Sequence, residues 1–370
     1  MNLSYWEYKT WLSDADFTVV GSGIVGLNCA LQLRKNFPFS KIIVLEKGFL
    51  PQGASTKNAG FACFGSVSEL ISDLQSHSEE EVFELVKKRW EGLQLLRQTL
   101  GDSNIDYQHK KGFELFLSQE EFEKCEDQIS YLNTLLKPLF PNVVYSISEN
   151  TFDFQNIVSN YIVNQHEGQI DTGRMMQSLL QKAQSESIIV VNGVEVKSIE
   201  SSGSSVTLET TFGDIETKMV CAATNGFAQK LLDVDTNPAR AQVLITKPIP
   251  NLHIQGTFHL DEGYYYFRNI HNRILFGGGR NLDFETEETT TFGQTEVVQN
   301  KLEELLSNVI LPNNEFEIDH QWSGIMGVGN QKKAIVKSIN DRVFCGVRLG
   351  GMGVAIGSLV GRELAELASE

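Results

Sequence analysis

Phe17-Thr18-Val19-Val20 is apolar on both faces but for one threonine, and it runs straight into Gly21-Ser22-Gly23-Ile24-Val25-Gly26. Such a run over 16–20 predicts a buried strand. Leu27, Ala30, Leu31 and Leu33 then recur at mixed three- and four-residue spacing, which predicts a helix ending near Asn36-Phe37-Pro38. Lys41-Ile42-Ile43-Val44-Leu45-Glu46 predicts a second strand. Strand, turn, helix and strand fit within about 30 residues, the size of one βαβ crossover.

Further along, residues 51–66 are rich in Gly, Ala, Ser and Asn and read as a long loop. Helices are expected over 78–100, 118–137 and 172–186, with a strand at 112–117. Strands follow at 188–191, 194–199 and 205–210, with a turn at Thr211-Phe212-Gly213-Asp214 and a buried strand at 219–223. From 236 to 322 the pattern changes: Gln242–Thr246, Thr257–Leu260, Gly263–Arg268 and Ile274–Gly277 read as strands between Gly and Asn turns, with one helix near 294–308. The end returns to strand Val343–Gly346, a glycine loop at 350–353 and a helix over 354–368. This predicts an α/β fold: a Rossmann-type nucleotide domain assembled from 1–100, 150–235 and 323–370, with an inserted antiparallel-sheet (α+β) substrate domain from 101–149 and 236–322.

Composition narrows the function classes. The 370 residues carry a net charge of −16, which repels phosphate backbones and anionic lipid, so no nucleic-acid partner is expected. The apolar stretch 17–33 is interrupted by Gly21, Ser22, Gly23, Gly26, Asn28 and Gln32, so no membrane span is expected. The start, Met1 to Lys9, lacks the basic opening of a secretory signal, and a cytoplasmic location is expected. Five scattered cysteines with no CxxC pair fit a reducing compartment and offer no disulfide framework or zinc site.

The chemistry begins at Gly21-x-Gly23-x-x-Gly26. Gly21 permits the tight turn, Gly23 lets the backbone approach a pyrophosphate, and Gly26 allows helix to pack on strand. Free amides at the helix start face the phosphates. Glu46 ends the second strand 20 residues on, where an acid accepts ribose hydroxyls. This unit fits NAD as well as FAD. Two segments favour FAD. The loop Gly53–Gly60 has the small side chains that a diphosphate and a flat ring require, and Gly350-Gly351-Met352-Gly353-Val354 aims a helix start at a ring edge that gains charge on reduction. A flexible loop and a plain packing turn are the alternatives.

The stretches Ala15–Leu27, Gly53–Phe61, Gly168–Thr172, Cys221–Gly226, Tyr264–Arg268, Leu275–Arg280, Trp322–Met326 and Gly350–Gly357 follow an order that resembles the D-amino-acid oxidase / glycine oxidase superfamily of FAD-dependent oxidoreductases. The resemblance implies FAD as cofactor, and hydride transfer from a C–N bond to flavin N5, giving an imine that hydrolyses. The opening Ser4-Tyr5-Trp6 is similar to branches acting on amines and secondary amino acids. Expected cofactor contacts are Gly21, Gly23, Ile24, Val25, Gly26, Glu46 and Lys47, then Ala54, Ser55, Asn58, Ala59 and Gly60. Val194, Val196, Thr224, Asn225, Gly226, Gly324, Gly351, Met352, Gly353 and Val354 complete the set.

For substrate, period two puts Tyr264, Tyr266 and Arg268 on one strand face, where phenols and a guanidinium bind a carboxylate. These three are the expected catalytic residues, with Tyr264 matching a carboxylate-binding tyrosine by resemblance. An amphipathic core strand is the alternative. Two departures stand out. Met326 occupies the region where the family's amino-acid oxidases carry a carboxylate-clamping arginine, which argues against a simple D-amino-acid substrate and leaves an amine, or an acid held by Arg268 or Arg348. Ile274–Gly277 lacks the lysine that sarcosine-type oxidases hold near the flavin, so beside dioxygen another electron acceptor, served by a dehydrogenase, stays open. His259 and His271 read as isolated strand or turn histidines. A NAD(P)-dependent dehydrogenase and a non-catalytic FAD-binding subunit are the rival functions.

Overall fold

The computed structural model describes residues 3–370; Met1 and Asn2, part of the start read above, lie outside the described residues. The strand Ala15–Val20 sits at the centre of the first sheet, parallel to Ile42–Glu46 on one side and Gly213–Ala222 on the other. Ile189–Asn192 and Val343–Val347 extend the parallel set, and Ile335–Asn340 adds an antiparallel edge. The helices Ile24–Asn36 and Gly353–Leu367 pack on each other and bury Leu27, Cys29, Val360 and Leu364 beneath this sheet. Gly361 makes that approach possible, since a Cβ there would lie 2.5 Å from the Val25 carbonyl oxygen.

The second sheet runs Ile318–Val328, Asn237–Thr246, Arg273–Gly278, Tyr265–Ile270, Thr257–Leu260, Gly112–Glu114, Asn160–Asn164, Tyr145–Glu149. Every neighbouring pair is antiparallel except Thr257–Leu260 with Gly112–Glu114. One face carries Tyr265, Phe267 and Phe276 against the helix Glu296–Leu305. The other carries Tyr266, Leu275, Val243 and Trp322 toward Ala59 and Phe61.

Several expectations need correction. The expected helix 118–137 is two helices, Gln119–Glu126 and Ile129–Leu136, broken where the Gln128 amide turns back to the Cys125 carbonyl. The loop 51–66 holds a short helical turn, Ala54–Thr56, and a strand, Phe61–Ala62, paired with Gly168–Gln169. The helix Val67–Ser76 was missed, although Ser66 and Glu69 form its capping box and spell that signal in sequence. Strand Asn160–Asn164 joins the second sheet, although it falls within 150–235. The Ile318–Val328 strand of the same sheet crosses the boundary drawn at 323.

Candidate active site

A cavity of about 280 Å³ lies where the carboxyl ends of the first sheet meet the apolar face of the second. The turn after Ala15–Val20 forms its floor. Gly21 has φ +105°, open to glycine at little cost, and its carbonyl oxygen lies 1.9 Å from where a Cβ on Gly26 would stand. A Cβ on Gly23 would lie 2.8 Å from Ser55 Oγ, which accepts the Ile24 amide at 2.9 Å. The amides of Val25 and Gly26 come too early in the helix for an intrahelical partner and stay open. So do those of Gly353, Val354 and Ala355, because the first bonded amide of that helix is Ile356, to Met352 O. Two helix starts thus present donors to one cavity.

Nearly all expected cofactor residues meet on this wall: Gly21, Gly23, Ile24, Val25, Glu46, Lys47, Ala54, Ser55, Asn58, Ala59, Gly60, Val194, Val196, Thr224, Asn225, Gly324, Gly351, Met352, Gly353 and Val354. Gly26 and Gly226 do not line it. Both serve packing instead: a Cβ on Gly226 would meet Met326 O at 2.3 Å. Glu46 is braced by its own turn. Its Oε2 accepts from Ser22 N at 3.1 Å and Ser22 Oγ at 2.8 Å, and Oε1 from Gly48 N at 3.0 Å. The residues present fit FAD: a glycine-lined turn no side chain can fill, open amides at two helix starts, and a mostly apolar wall that includes Phe61 and Tyr266.

Beyond the turn the wall is formed by Phe61, Cys63, Glu69, His259, Gly263, Tyr266, Met326 and Met352. A row of cross-strand partners runs behind it, of which His259, Tyr266 and Val243 line the cavity. Glu114 stands beside His259, His259 opposite Tyr266, Tyr266 opposite Gly277, Gly277 opposite Val243, and Val243 opposite Trp322. Gly277 leaves room for the phenol ring, since its Cβ would lie 2.8 Å from Tyr266 Cε2. Phe61 meets both His259 and Tyr266 edge-on, at 5.3 and 5.7 Å between centroids.

The expected catalytic strand is therefore divided. Tyr266 lines the cavity, and burial pushes its phenol up to about 12. Tyr264 does not line it. Asp261, Glu262 and Gly263 all have positive φ, so the strand starts at Tyr265 and Tyr264 turns out to pack beside Phe284 and beneath Arg280. Arg268 is only 2 % exposed. Its guanidinium carbon would lie 3.3 Å from a Cβ on Gly60, its side chain has no hydrogen-bond partner among the described residues, and burial lowers its pKa to about 10. Arg348, the other expected anion binder, is committed to Asp235 at 2.6 Å and to the Lys333 carbonyl.

His259, read as an isolated strand histidine, is on the strand and also on the cavity wall. Its Nε2 bonds Glu167 Oε2 at 3.0 Å. Burial pushes the imidazole down, but the charge and hydrogen bond of Glu167, with Glu69 and Glu114 behind, raise it to about 9. Glu167 is fully buried and also accepts from Thr257 Oγ at 3.0 Å and Asn164 Nδ2 at 3.2 Å. Gly112 makes space for it, because a Cβ there would fall 2.1 Å from Glu167 Oε2. Glu114 is held by Ser66 Oγ and Val67 N, both at 2.9 Å, and burial raises its carboxyl. The adjacent His166-Glu167 pair was visible in sequence, but its link to His259 spans 92 residues. Cys345 is buried in the first sheet, off the wall; Cys63 is the thiol on it.

Among the described residues, no helix is long and apolar enough to cross a membrane. Residues 16–367 match the family described as FAD dependent oxidoreductase. The chain is 24% identical over 382 residues to the probable oxidoreductase OrdL of Haemophilus influenzae, covering 96% of this chain and 83% of that one. Among solved structures it is similar to glycine oxidase from Geobacillus kaustophilus (TM-score 0.78, 19% identity, 96% of this chain and 95% of that one). It is also similar to L-proline dehydrogenase from P. horikoshii (TM-score 0.75, 18% identity, 96% and 93%). These likenesses agree with the fold, and the family match across nearly the whole sequence, together with the glycine-lined cavity, shows that this chain belongs to the FAD-dependent oxidoreductases.

Proposed function

We propose that this chain oxidises the carbon–nitrogen bond of a small amine or amino acid. The observation that carries the reading is one continuous cavity whose wall runs from the Gly21–Val25 turn to Tyr266 and His259. When bound, FAD supplies the acceptor for a hydride leaving the carbon that bears nitrogen; the resulting imine is hydrolysed by water, and the electrons pass on to dioxygen or another acceptor. The protein's part is to orient the substrate and keep water out. Tyr266, Phe61, Met326 and Met352 form the walls that frame an aliphatic group. Arg268 keeps a positive charge behind Gly60. We assign nucleotide binding to the segments 1–100, 150–235 and 323–370, and the substrate face to 101–149 and 236–322, with the strands Asn160–Asn164 and Ile318–Val328 counted on the substrate side. The glycine oxidase and L-proline dehydrogenase neighbours, by their names, support a nitrogen-bearing substrate. The test is anaerobic mixing of the purified, FAD-loaded protein with a panel of amines and amino acids while flavin absorbance is followed. Bleaching by at least one compound is expected. If dithionite bleaches the flavin and no panel member does, the catalytic reading fails.

A further inference from the structure

Three lysines, Lys47, Lys57 and Lys230, line the cavity of a chain whose net charge is −16. Two of them leave the backbone beside the glycine turn. Lys47 follows Glu46, whose carboxylate accepts from Ser22 of that turn. Lys57 closes the short helix Ala54–Thr56, whose Ser55 Oγ accepts the Ile24 amide. Trp322 Nε1 donates to the Lys57 carbonyl at 2.9 Å, which pins this helix to the second sheet.

Both ammonium groups lie against aromatic rings. Lys47 Nζ stands 3.7 Å from the centre of the Phe227 ring, and Lys57 Nζ 5.1 Å from that of Phe292. The two rings are 6.3 Å apart. Phe227 belongs to the turn Asn225–Lys230 that follows the first sheet, and Phe292 to the segment leading into the helix Glu296–Leu305 on the second. That segment is itself fixed: Gly293 N donates to Ser323 Oγ at 2.9 Å, and Thr295 N to Gln242 Oε1 at 3.0 Å. The stack Lys47, Phe227, Phe292, Lys57 therefore joins the two sheets beside the cavity. A ring face orients a cation without cancelling its charge. Burial and the like charge of Lys230 push the Lys47 ammonium below its ordinary range, by more than Glu195 and Glu46 restore. Positive charge crowded in this way is relieved by an anion.

We infer that the stack is a clasp on the cofactor's diphosphate: Lys47 and Lys57 supply charge to the phosphates that the glycine-turn amides receive, and the Phe227–Phe292 contact keeps the two sheets closed beside them. Lys230, exposed, adds attraction at longer range. The inference holds whatever compound the protein oxidises.

The test uses FAD-loaded full-length protein, diluted at about 20 and about 500 mM KCl, with FAD release read from the rise in flavin fluorescence. Competition of ADP and of adenosine with FAD for the FAD-free full chain separates the diphosphate from the nucleoside. In wild type, release should quicken with salt. Lys47→Met and Lys57→Met should each release FAD about tenfold faster at the lower salt, the worth of one charge-assisted hydrogen bond, and should respond less to salt. They should weaken ADP by a similar factor and leave adenosine unchanged. Lys57→Arg, which keeps the charge, should stay near wild type. Phe292→Ala should quicken release by the same factor at both salts, because it opens the stack without removing a charge. Release indifferent to salt, lysine variants that weaken adenosine as much as ADP, or Lys57→Arg releasing FAD as fast as Lys57→Met would overturn the inference. Bleaching of the flavin by amines tests the oxidation separately, and its failure leaves these outcomes untouched.

Discussion

His259 and Tyr266 stand opposite each other on antiparallel strands, and the same Phe61 ring meets both edge-on. That relation places a charged donor and a phenol on the wall of the cavity that the glycine turn opens. It also separates the tyrosines of this segment by role, although they adjoin in sequence.

Tyr266→Phe should slow flavin reduction by substrate about tenfold, since it deletes the hydroxyl through which this cavity-lining ring can hydrogen-bond a substrate. Tyr264→Phe should change it less than about twofold, because that ring packs against Phe284 outside the cavity. Stopped-flow reduction of the two variants checks this, and equal effects would return Tyr264 to the site.

Gly23→Val should leave the protein folded but without flavin. The new side chain would press on Ser55 Oγ, 2.8 Å from the first carbon alone, and fill the floor of the cavity. The ratio of visible to ultraviolet absorbance in the purified variant measures it; a full flavin complement would contradict the role given to this turn.

Gly112→Ala should push Glu167 away from His259, because the added carbon falls 2.1 Å from the carboxylate oxygen. Overpacking of this kind costs about 1–3 kcal/mol, readable as a lower urea midpoint. The loss of stability between pH 6.5 and about 9 should also shrink in this variant, which a purely steric effect would not produce.

The pH dependence of stability carries the same signature. Burial pushes the His259 imidazole down, and the Glu167 carboxylate with its neighbours more than reverses this, to about 9 in the folded state against an ordinary 6.5. A raised folded-state value means that the contribution is complete below pH 6.5 and is lost as pH climbs to about 9. Urea unfolding at pH 6, 7.5 and 9.5 should therefore show wild type losing stability faster than His259→Asn over that interval. Parallel curves for the two proteins would show that the ring is uncharged when folded.

What was legible in the sequence is what local chemistry dictates. A strand, a turn needing Gly21 at φ +105° and a helix needing Gly26 against the turn leave few other residues at those positions, so the glycine turn on the cavity floor could be read directly. Period two likewise assigned Tyr266 and Arg268 to one face and Tyr265 and Phe267 to the other, and the sheet keeps that division. Tertiary structure decided the rest. Three successive positive-φ residues, Asp261 to Gly263, delay the strand and carry Tyr264 out of the row, which no alternation of apolar and polar residues records. His259 reads as isolated because Glu167 and Glu114 reach it only when distant strands pair and the bare Gly112 admits a carboxylate. Charge on a buried ring depends on who its neighbours are in space, and sheet register, a long-range property, chose them.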